Sequence, residues 1–112
     1  MKFENKTVTS TPEILKRKTG GELFIPLAIS ALSASVVEVK AGNVVDKDGA
    51  IAVTTTGVSN AYGVLLNDVT ADDPNGSVLR AFGTINEAAA KANSGHTITD
   101  AEKTALSNII FE

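Results

Sequence analysis

Residues 61–90, AYGVLLNDVTADDPNGSVLRAFGTINEAAA, decide the fold of this chain. Two apolar runs, residues 64–69 and 78–82, flank the acidic, turn-forming residues 72–76. β-Branched and aliphatic runs on either side of Asp, Pro, Asn and Gly are typical of two strands joined by a tight reversal. The stretch therefore predicts a β-hairpin whose bend is fixed by Pro74 and Gly76.

Before this hairpin, the chain predicts further strands and turns. Residues 22–29 are apolar enough for a strand, but Pro26 cannot donate a ladder hydrogen bond, so we expect an edge strand. Residues 35–40 predict a half-buried strand with Val37 and Val39 on one side. Ala41-Gly42 predicts a corner. Short strands at 43–45 and 50–54 are joined by a predicted hairpin turn at 46–49, where Gly49 supplies the positive φ.

Helix signals occur only after the hairpin. Asn86 is a predicted N-cap for a short helix over residues 87–92, and residues 93–97 are expected to form a loop. Thr99 and Glu102 form a T-x-x-E capping box in front of a helix over residues 100–107, which Asn108 ends. Residues 109–111, Ile-Ile-Phe, then predict a strand. The predicted fold class is mainly β with one or two short helices.

Size and composition restrict the function. A chain of 112 residues and 11.6 kDa predicts one domain that buries roughly two thirds of its unfolded surface. Without cysteine it has no disulfide or thiolate site. No apolar run approaches the ~20 residues of a membrane span, and residues 1–14 lack the apolar core of a secretion signal, so we expect synthesis in the cytosol and no membrane partner. Aromatic residues make up 4% and tryptophan is absent, which disfavours stacking sites for sugars or nucleic acid.

The charge is uneven along the chain. Residues 1–20 hold five basic and two acidic side chains, for +3, and the remainder holds five basic and eleven acidic ones, for −6, which together give the net charge of −3. A basic, threonine-rich opening before Gly20-Gly21 predicts an extended arm at residues 1–21, followed by a β-rich domain at residues 22–112. The arm is interpreted either as an inert terminus or as a segment that becomes ordered on a partner surface.

No stretch of the sequence predicts a catalytic, cofactor or metal site. Asp46-Lys47-Asp48-Gly49 resembles the start of a calcium loop, but the third oxygen ligand and the closing glutamate are missing. Asp72 and Asp73 are adjacent in a predicted turn, where neighbouring side chains point apart and stay solvated. His96, the single histidine, has no obvious acidic partner nearby in the sequence, so neither a triad nor a metal site is expected there. We therefore expect a binding protein and not an enzyme.

The order of these elements resembles the head decoration and head fiber proteins of tailed bacteriophages, of the lambda type. The resemblance covers residues 22–112 and is carried by four stretches and the capped helix before the last of them. The stretches are residues 39–42 (VKAG), 61–66 (AYGVLL), 78–83 (VLRAFG) and 109–111 (IIF). The resemblance implies a β-clip-like small barrel or sandwich that assembles as a homotrimer. Two departures, the low aromatic content and the lack of a distal shaft after residue 112, favour a compact knob over a long fiber.

The resemblance also implies a location and a set of partners. Such proteins are made in the host cytoplasm and bind the outer surface of the virion capsid, so the implied partners are further copies of the chain and the major capsid protein. Relatives order an N-terminal segment on the shell, and the arm looks suited to that role. The candidate capsid-binding residues are the basic and apolar side chains of the arm: Lys2, Phe3, Lys6, Ile14, Leu15, Lys16, Arg17 and Lys18.

Two other classes of function compete with this reading. Some β-clip-like trimers hydrolyse nucleotides, but that chemistry needs phosphate-binding serine and arginine residues and a catalytic aspartate, and this chain has only Arg17 and Arg80. The second is a carbohydrate-binding or adhesin-like β module that contacts glycans on a host surface. Its predicted exposed loops, residues 54–60 and 70–77, favour it, and the scarcity of aromatic side chains counts against it.

Overall fold

The structure, a computed structural model, describes residues 14–17 and 20–112, and of Arg17 only the backbone. This part of the chain is mainly β with two short helices, which confirms the predicted fold class. The strands are β1 (Leu15–Arg17), β2 (Leu23–Ala28), β3 (Glu38–Val39), β4 (Val44–Val45), β5 (Thr54–Thr55), β6 (Val58–Ser59), β7 (Gly63–Leu65), β8 (Val69–Thr70), β9 (Asn75–Ala81), β10 (Gly83–Ile85) and β11 (Ile109–Phe111). The helices are α1 (Glu87–Ser94) and α2 (Asp100–Ala105).

Two sheets and two ribbons build the body. An antiparallel sheet has the strand order β2-β9-β7-β4, and a smaller sheet has the order β1-β10-β11, in which β11 is parallel to β10 and β1 antiparallel. Strands β3 and β8 form one two-stranded ribbon, and β5 and β6 form another. Most pairings join distant parts of the chain, so the sheets bring its early and late segments together.

The predicted hairpin of residues 61–90 is present and lies at the centre of the larger sheet. Val64 pairs with Leu79 and Leu65 with Val78, and all four side chains are fully buried. Successive strand residues point to opposite faces, so a strand that is apolar at every position must be covered on both sides. The larger sheet is therefore a layer between two cores.

Each core collects the residues of one sheet face. The first core joins that face to the smaller sheet and the helices, through Ile14, Ala41, Val44, Val64, Leu79, Ile85, Ala90, Ile98, Leu106 and Ile109. The second core joins the other face to β3, β8 and the segment after β2, through Ile29, Val39, Val45, Leu65, Val69 and Val78.

The bend of the hairpin differs from the prediction. The reversal is made by Thr70 and Asp73, whose backbone groups bond each other in both directions, at 3.3 and 3.0 Å. Gly76 lies inside β9 and is buried. A Cβ there would come within 2.5 Å of Leu65 Cδ1, so this glycine serves close packing and not the turn. The prediction that Gly76 fixes the bend is wrong.

The edge position of the proline strand is confirmed. Among residues 14–17 and 20–112, strand β2 pairs with β9 alone, at the end of the larger sheet. Ile29 donates its amide to the Pro74 carbonyl, at 2.9 Å. Backbone N–H and C=O groups of successive strand residues point to alternate edges of the strand. The backbone groups of Leu27 and Ile25 therefore also point towards β9, and the nitrogen of Pro26 points to the open edge. A proline there discourages pairing with a foreign strand.

The strand predicted over residues 35–40 is confirmed only for β3. Val39 enters the second core, as predicted, but Val37 precedes the strand and is 66% exposed. The residues before β3 form a turn in which the Ser33 hydroxyl accepts the amides of Ser35 and Val36. The expectation that Val37 shares the buried face with Val39 is therefore wrong.

The turn at residues 46–49 forms as predicted. Asp46 Oδ1 accepts the amides of Asp48 and Ala50, at 2.9 and 3.0 Å, and Gly49 has a φ of +85°. The turn then packs on the end of β2, where the Gly49 carbonyl accepts the amide of Ser30 at 3.0 Å. This contact joins two predicted elements whose sequences give no sign of it.

Both predicted helix caps are confirmed, with shifted helix ends. The Asn86 side chain accepts the Ala89 amide, and α1 continues to Ser94, two residues beyond the prediction, before Gly95 at a φ of +78°. Thr99 and Glu102 form the complete capping box, and α2 ends at Ala105, two residues early. Local capping chemistry therefore sets where both helices begin.

A single residue joins the two sheets. Phe82 lies between β9 and β10 with a φ of +63°, and its amide donates to the Asn108 carbonyl at 2.7 Å. Its side chain is 62% exposed. Positive φ is unusual for a bulky residue, and here it turns one continuous chain segment from the larger sheet into the smaller one.

The ribbon β5–β6 closes with a two-residue turn. Thr56 and Gly57 both have positive φ, 53° and 77°, which is the signature of a type I′ turn. Glycine suits this conformation, but a β-branched threonine is strained in it.

Thr56→Asn is expected to stabilise the protein, because asparagine tolerates left-handed backbone and Asn-Gly is the preferred type I′ pair. The gain should be roughly 1 kcal/mol, or about 4 °C in the melting temperature of a domain of this size. Thr55→Asn, at a strand position of the same ribbon, is the matched control and should not stabilise. A lower melting temperature for Thr56→Asn, measured by circular dichroism, would contradict the turn geometry.

Candidate interaction surfaces

The predicted arm is attached to the body further upstream than expected. Ile14 is 2% exposed in the first core, and its carbonyl accepts the Asn86 amide at 2.8 Å. Leu15 pairs with Ile85 and packs against the same core. Ile14, one of the candidate capsid-binding residues, thus has its side chain inside the first core. Ile14 and β1 pack on the rest of the described chain.

The remaining candidates of the arm divide into two groups. Lys16 is described, and its Nζ lies 3.7 Å from Glu112 Oε1, both side chains being about 40% exposed. An exposed pair of this kind contributes at most about 1 kcal/mol. Of Arg17 only the backbone is described, and it pairs with Thr84. The candidates outside the described residues are Lys2, Phe3, Lys6 and Lys18.

The part of the arm that precedes Ile14 is not basic. Residues 1–13 hold Lys2 and Lys6 against Glu4 and Glu13, so their net charge is zero. The predicted excess of positive charge comes from Lys16, Arg17 and Lys18. The basic cluster thus begins at the edge of the smaller sheet.

His96 has an acidic partner that sequence reasoning missed. Its Nε2 lies 2.9 and 3.1 Å from the two carboxylate oxygens of Glu102, which is 3% exposed. Glu102 Oε1 also accepts the Thr99 amide at 2.8 Å. The sequence signal for this pair was a histidine a few residues before the capping-box glutamate. The capping box turns the Glu102 side chain back towards the residues that precede α2, where His96 lies. The contacts of Glu102 with His96 and Thr99 stabilise the N-terminus of α2.

The other candidate sites have structural roles. Asp46 Oδ1 is used by the turn it begins, and Oδ2 lies 3.4 Å from Asn60 Nδ2. Asp72 and Asp73 are exposed, as predicted for a solvated turn. Within residues 14–17 and 20–112, no three His, Asp or Glu side chains are grouped so that they could hold a metal ion. Of the helices in these ranges, none is long and apolar enough to cross a membrane.

Several large apolar side chains are exposed at separate places on the body. These side chains are Leu23, Phe24, Val36, Val37, Ile51, Val53, Val58, Phe82 and Ile110. Single exposed apolar residues are ordinary, but neighbouring ones mark contact surfaces. Val36 and Val37 are adjacent in the chain, and two further groups lie at the sheet junction and on the ribbon β5–β6.

The first group is a corner patch formed by Leu23, Phe24 and Phe82. Leu23 pairs with Ala81, the residue before Phe82, and Phe24 pairs with Leu79. The patch thus lies where the edge strand β2 meets the junction of the two sheets. Aromatic side chains are frequent anchors of protein interfaces. Phe82 also has a positive φ, a backbone conformation that could not be read from the hydropathy of the sequence.

The second group is the outer face of the ribbon, residues 53–60. Thr55 pairs with Val58, and Val53 is held opposite Asn60 by two hydrogen bonds, at 2.7 and 3.1 Å. Val53 and Val58 are 60% and 71% exposed, whereas Ser59 on the opposite face is buried beside α2. A shallow depression of about 330 Å³ lies along the ribbon, lined by Val53, Thr55, Val58, Ser59 and Asn60.

Little in the sequence predicts this ribbon. Thr-Gly is not a typical type I′ pair, and the strands have only two residues each. The useful signal was charge: residues 49–67 contain no charged side chain. Neither a protein-family model nor a curated protein nor a solved structure matches this chain.

Proposed function

We propose that this chain is an auxiliary head protein of a tailed bacteriophage, which binds the outer surface of the capsid as a homotrimer and stabilises the shell. It acts by contact alone: the body meets its own copies and the capsid, and residues 1–13 fasten it to neighbouring capsid subunits. Closed cyclic assembly would also cover strand edges that would otherwise promote aggregation.

The resemblance to phage decoration proteins falls on a connected part of the fold, which supports the proposal. Residues 61–66 contain β7, and residues 78–83 run from β9 through Phe82 into β10. Residues 109–111 are β11, the parallel neighbour of β10. The similar stretches are therefore in contact with one another, as expected if they form one structural unit.

The observation that carries the proposal is the anchoring of the arm. Ile14 lies in the first core, and β1 is bonded to β10 at the edge of the smaller sheet. If residues 1–13 bind a capsid subunit, they can hold the protein on the shell only if the residues that follow them are firmly attached to the body. Burying an isoleucine side chain stabilises by about 1.5–3 kcal/mol, more than a surface ion pair provides.

The composition of residues 1–13 indicates how the arm binds. With no net charge, they offer little general attraction to an oppositely charged surface. Their stretch Thr7-Val8-Thr9 is rich in residues that favour strands. Addition of a strand to a capsid sheet, through backbone hydrogen bonds, suits this composition best.

The carbohydrate-binding alternative has one observation in its favour. The depression along the ribbon falls within residues 53–60 and thus coincides with a loop predicted to be exposed. Its lining offers hydroxyl and amide groups from Thr55, Ser59 and Asn60, but none of these lining residues is aromatic. Sugar sites usually combine polar groups with an aromatic platform, so the depression suits a protein contact better.

Deleting residues 1–13 is expected to leave a folded protein that binds capsids about a hundredfold more weakly, because three arms act together in a trimer. The deletion stops before Ile14, since removing a core residue would confuse loss of binding with loss of stability. Co-sedimentation with heads from a phage that lacks the gene measures binding, and circular dichroism verifies folding. Equal binding by the folded truncated protein would contradict the role of the arm.

The function as a whole is tested with the unaltered protein. When an infected lysate is fractionated on a density gradient and probed with an antibody against the chain, the signal should band with the heads. A chain found only among free proteins at the top of the gradient would overturn the proposal.

A further inference from the structure

We infer that the outer face of the ribbon, residues 53–60, is the apolar centre of the contact between copies of this chain. The inference rests on the proposed function only in taking the chain to be an oligomer. It assigns that contact to particular residues, Val53, Thr55 and Val58, which neither the sequence patterns nor the resemblance identifies.

The ribbon has the surface properties of an interface centre. Val53 and Val58 are mostly exposed, and Ile51, which bridges to Val45 just before the ribbon, is 41% exposed. No charged side chain occurs from residue 49 to residue 67. The centres of protein interfaces are depleted in charge and surrounded by polar residues. Here Asn60, opposite Val53, supplies such a polar neighbour.

The ribbon is also held in place before any partner binds. Asn60 Oδ1 accepts the Val53 amide at 2.7 Å, and Asn60 Nδ2 lies 3.4 Å from Asp46 Oδ2 in the neighbouring turn. On the inner face, Ser59 is buried, and its hydroxyl accepts the Ala61 amide. A surface that is already ordered loses less conformational freedom on binding.

Charge favours a second copy as the occupant. Residues 14–112 carry eight basic and eleven acidic side chains, a net charge of −3, so two bodies repel each other. Like charges placed opposite each other across an interface cost several kcal/mol, and repulsion fades beyond about 10 Å. A contact centred on a charge-free ribbon keeps the acidic groups apart. A strongly charged partner, in contrast, finds no complementary group there.

The shape of the ribbon supports the same occupant. Strands of two residues offer few ladder bonds, so the contact rests on the exposed valine side chains. An identical ribbon offers a surface of the same chemistry, and closed symmetry repeats that contact around the ring.

Val58→Glu is the direct test, because it places a charge at the most exposed apolar position of the ribbon. Val37→Glu is the matched control: the residue type, the charge change and the exposure of 66% are similar, but the position lies outside the ribbon. Sedimentation equilibrium over a range of concentrations measures the association of the wild type and both variants, and circular dichroism verifies that each is folded. We expect the wild type and Val37→Glu to form the same oligomer, and Val58→Glu to associate at least about tenfold more weakly.

Each contrary result overturns a distinct claim. A folded Val58→Glu variant that associates like the wild type removes the ribbon from the interface, and the capsid function stands if the protein still binds heads. A wild type that is monomeric throughout overturns the inference, and a monomer that binds a glycan array through Val58 assigns the ribbon to a sugar. Loss of association in both variants also contradicts a specific role for the ribbon. Conversely, assembly through the ribbon without any binding to heads leaves the inference intact and refutes the proposed function.

Discussion

Gly49→Ala is expected to destabilise the protein by about 3 kcal/mol or more, a large part of the stability of a small domain. Gly49 has a φ of +85°, which alone costs an alanine about 1–2 kcal/mol. In addition, the new Cβ would overlap the Ala28 carbonyl oxygen and lie 3.0 Å from the Ser30 nitrogen. These are backbone atoms, so no side-chain rotation relieves the clash.

The clash can be relieved only by moving the turn away from β2. That movement breaks the bonds from the amides of Ser30 and Ala31 to the Gly49 carbonyl and exposes the second core near Ile29. Gly57→Ala is the matched control, because its φ of +77° is similar and a Cβ there meets nothing within 4 Å. It should lose only about 1–2 kcal/mol. Equal losses for the two variants in urea unfolding would show that the turn does not pack closely on β2.

Glu102→Ala is expected to destabilise the protein by about 1–3 kcal/mol, because it removes a buried carboxylate that accepts from both the Thr99 amide and His96 Nε2. Glu102 Oε1 accepts the Thr99 amide, and both carboxylate oxygens lie within hydrogen-bonding distance of His96 Nε2. The Glu102 side chain is buried, whereas His96 and Thr99 are accessible to water, so the loss stays below that of breaking a fully buried pair. Thermal unfolding followed by circular dichroism measures the change.

An exposed glutamate provides the control for this variant. Glu87 lies 3.1 Å from Lys103, with both side chains about one third exposed, and Glu87→Ala should lose at most about 1 kcal/mol. Glu102→Gln keeps the shape and one carbonyl acceptor, so its effect should fall between the two alanine variants. If Glu87→Ala is as damaging as Glu102→Ala, the contact of Glu102 with His96 and Thr99 has no special role in stability.

Features fixed by neighbouring residues could be predicted from the sequence. Asn86 caps α1 and Thr99 caps α2 because side-chain oxygens reach amides only a few residues away. The turn at Asp46 forms for the same reason. The central hairpin was also predictable, because two fully apolar runs can be covered only inside a layered body.

Features that depend on distant contacts could not be predicted. The residues of β1 read as part of a basic arm, and only pairing with Ile85 and burial of Ile14 show that they belong to the body. Gly76 is a residue type typical of turns, but here it is required because a side chain would clash with Leu65 and Val69. The ribbon was not predicted, because its turn holds Thr56 at a positive φ, a conformation that threonine disfavours. In each case, tertiary packing outweighed the local signal.

The position of β10 between β1 and β11 has a consequence for biosynthesis. Its two neighbours, Leu15–Arg17 and Ile109–Phe111, come from opposite extremes of the described chain, and both deliver side chains to the first core. A nascent chain emerging from the ribosome therefore cannot close this core until residues 109–111 have been translated and released. Until then Ile14 has no completed pocket, so the arm becomes firmly attached only after residues 109–111 have joined the first core.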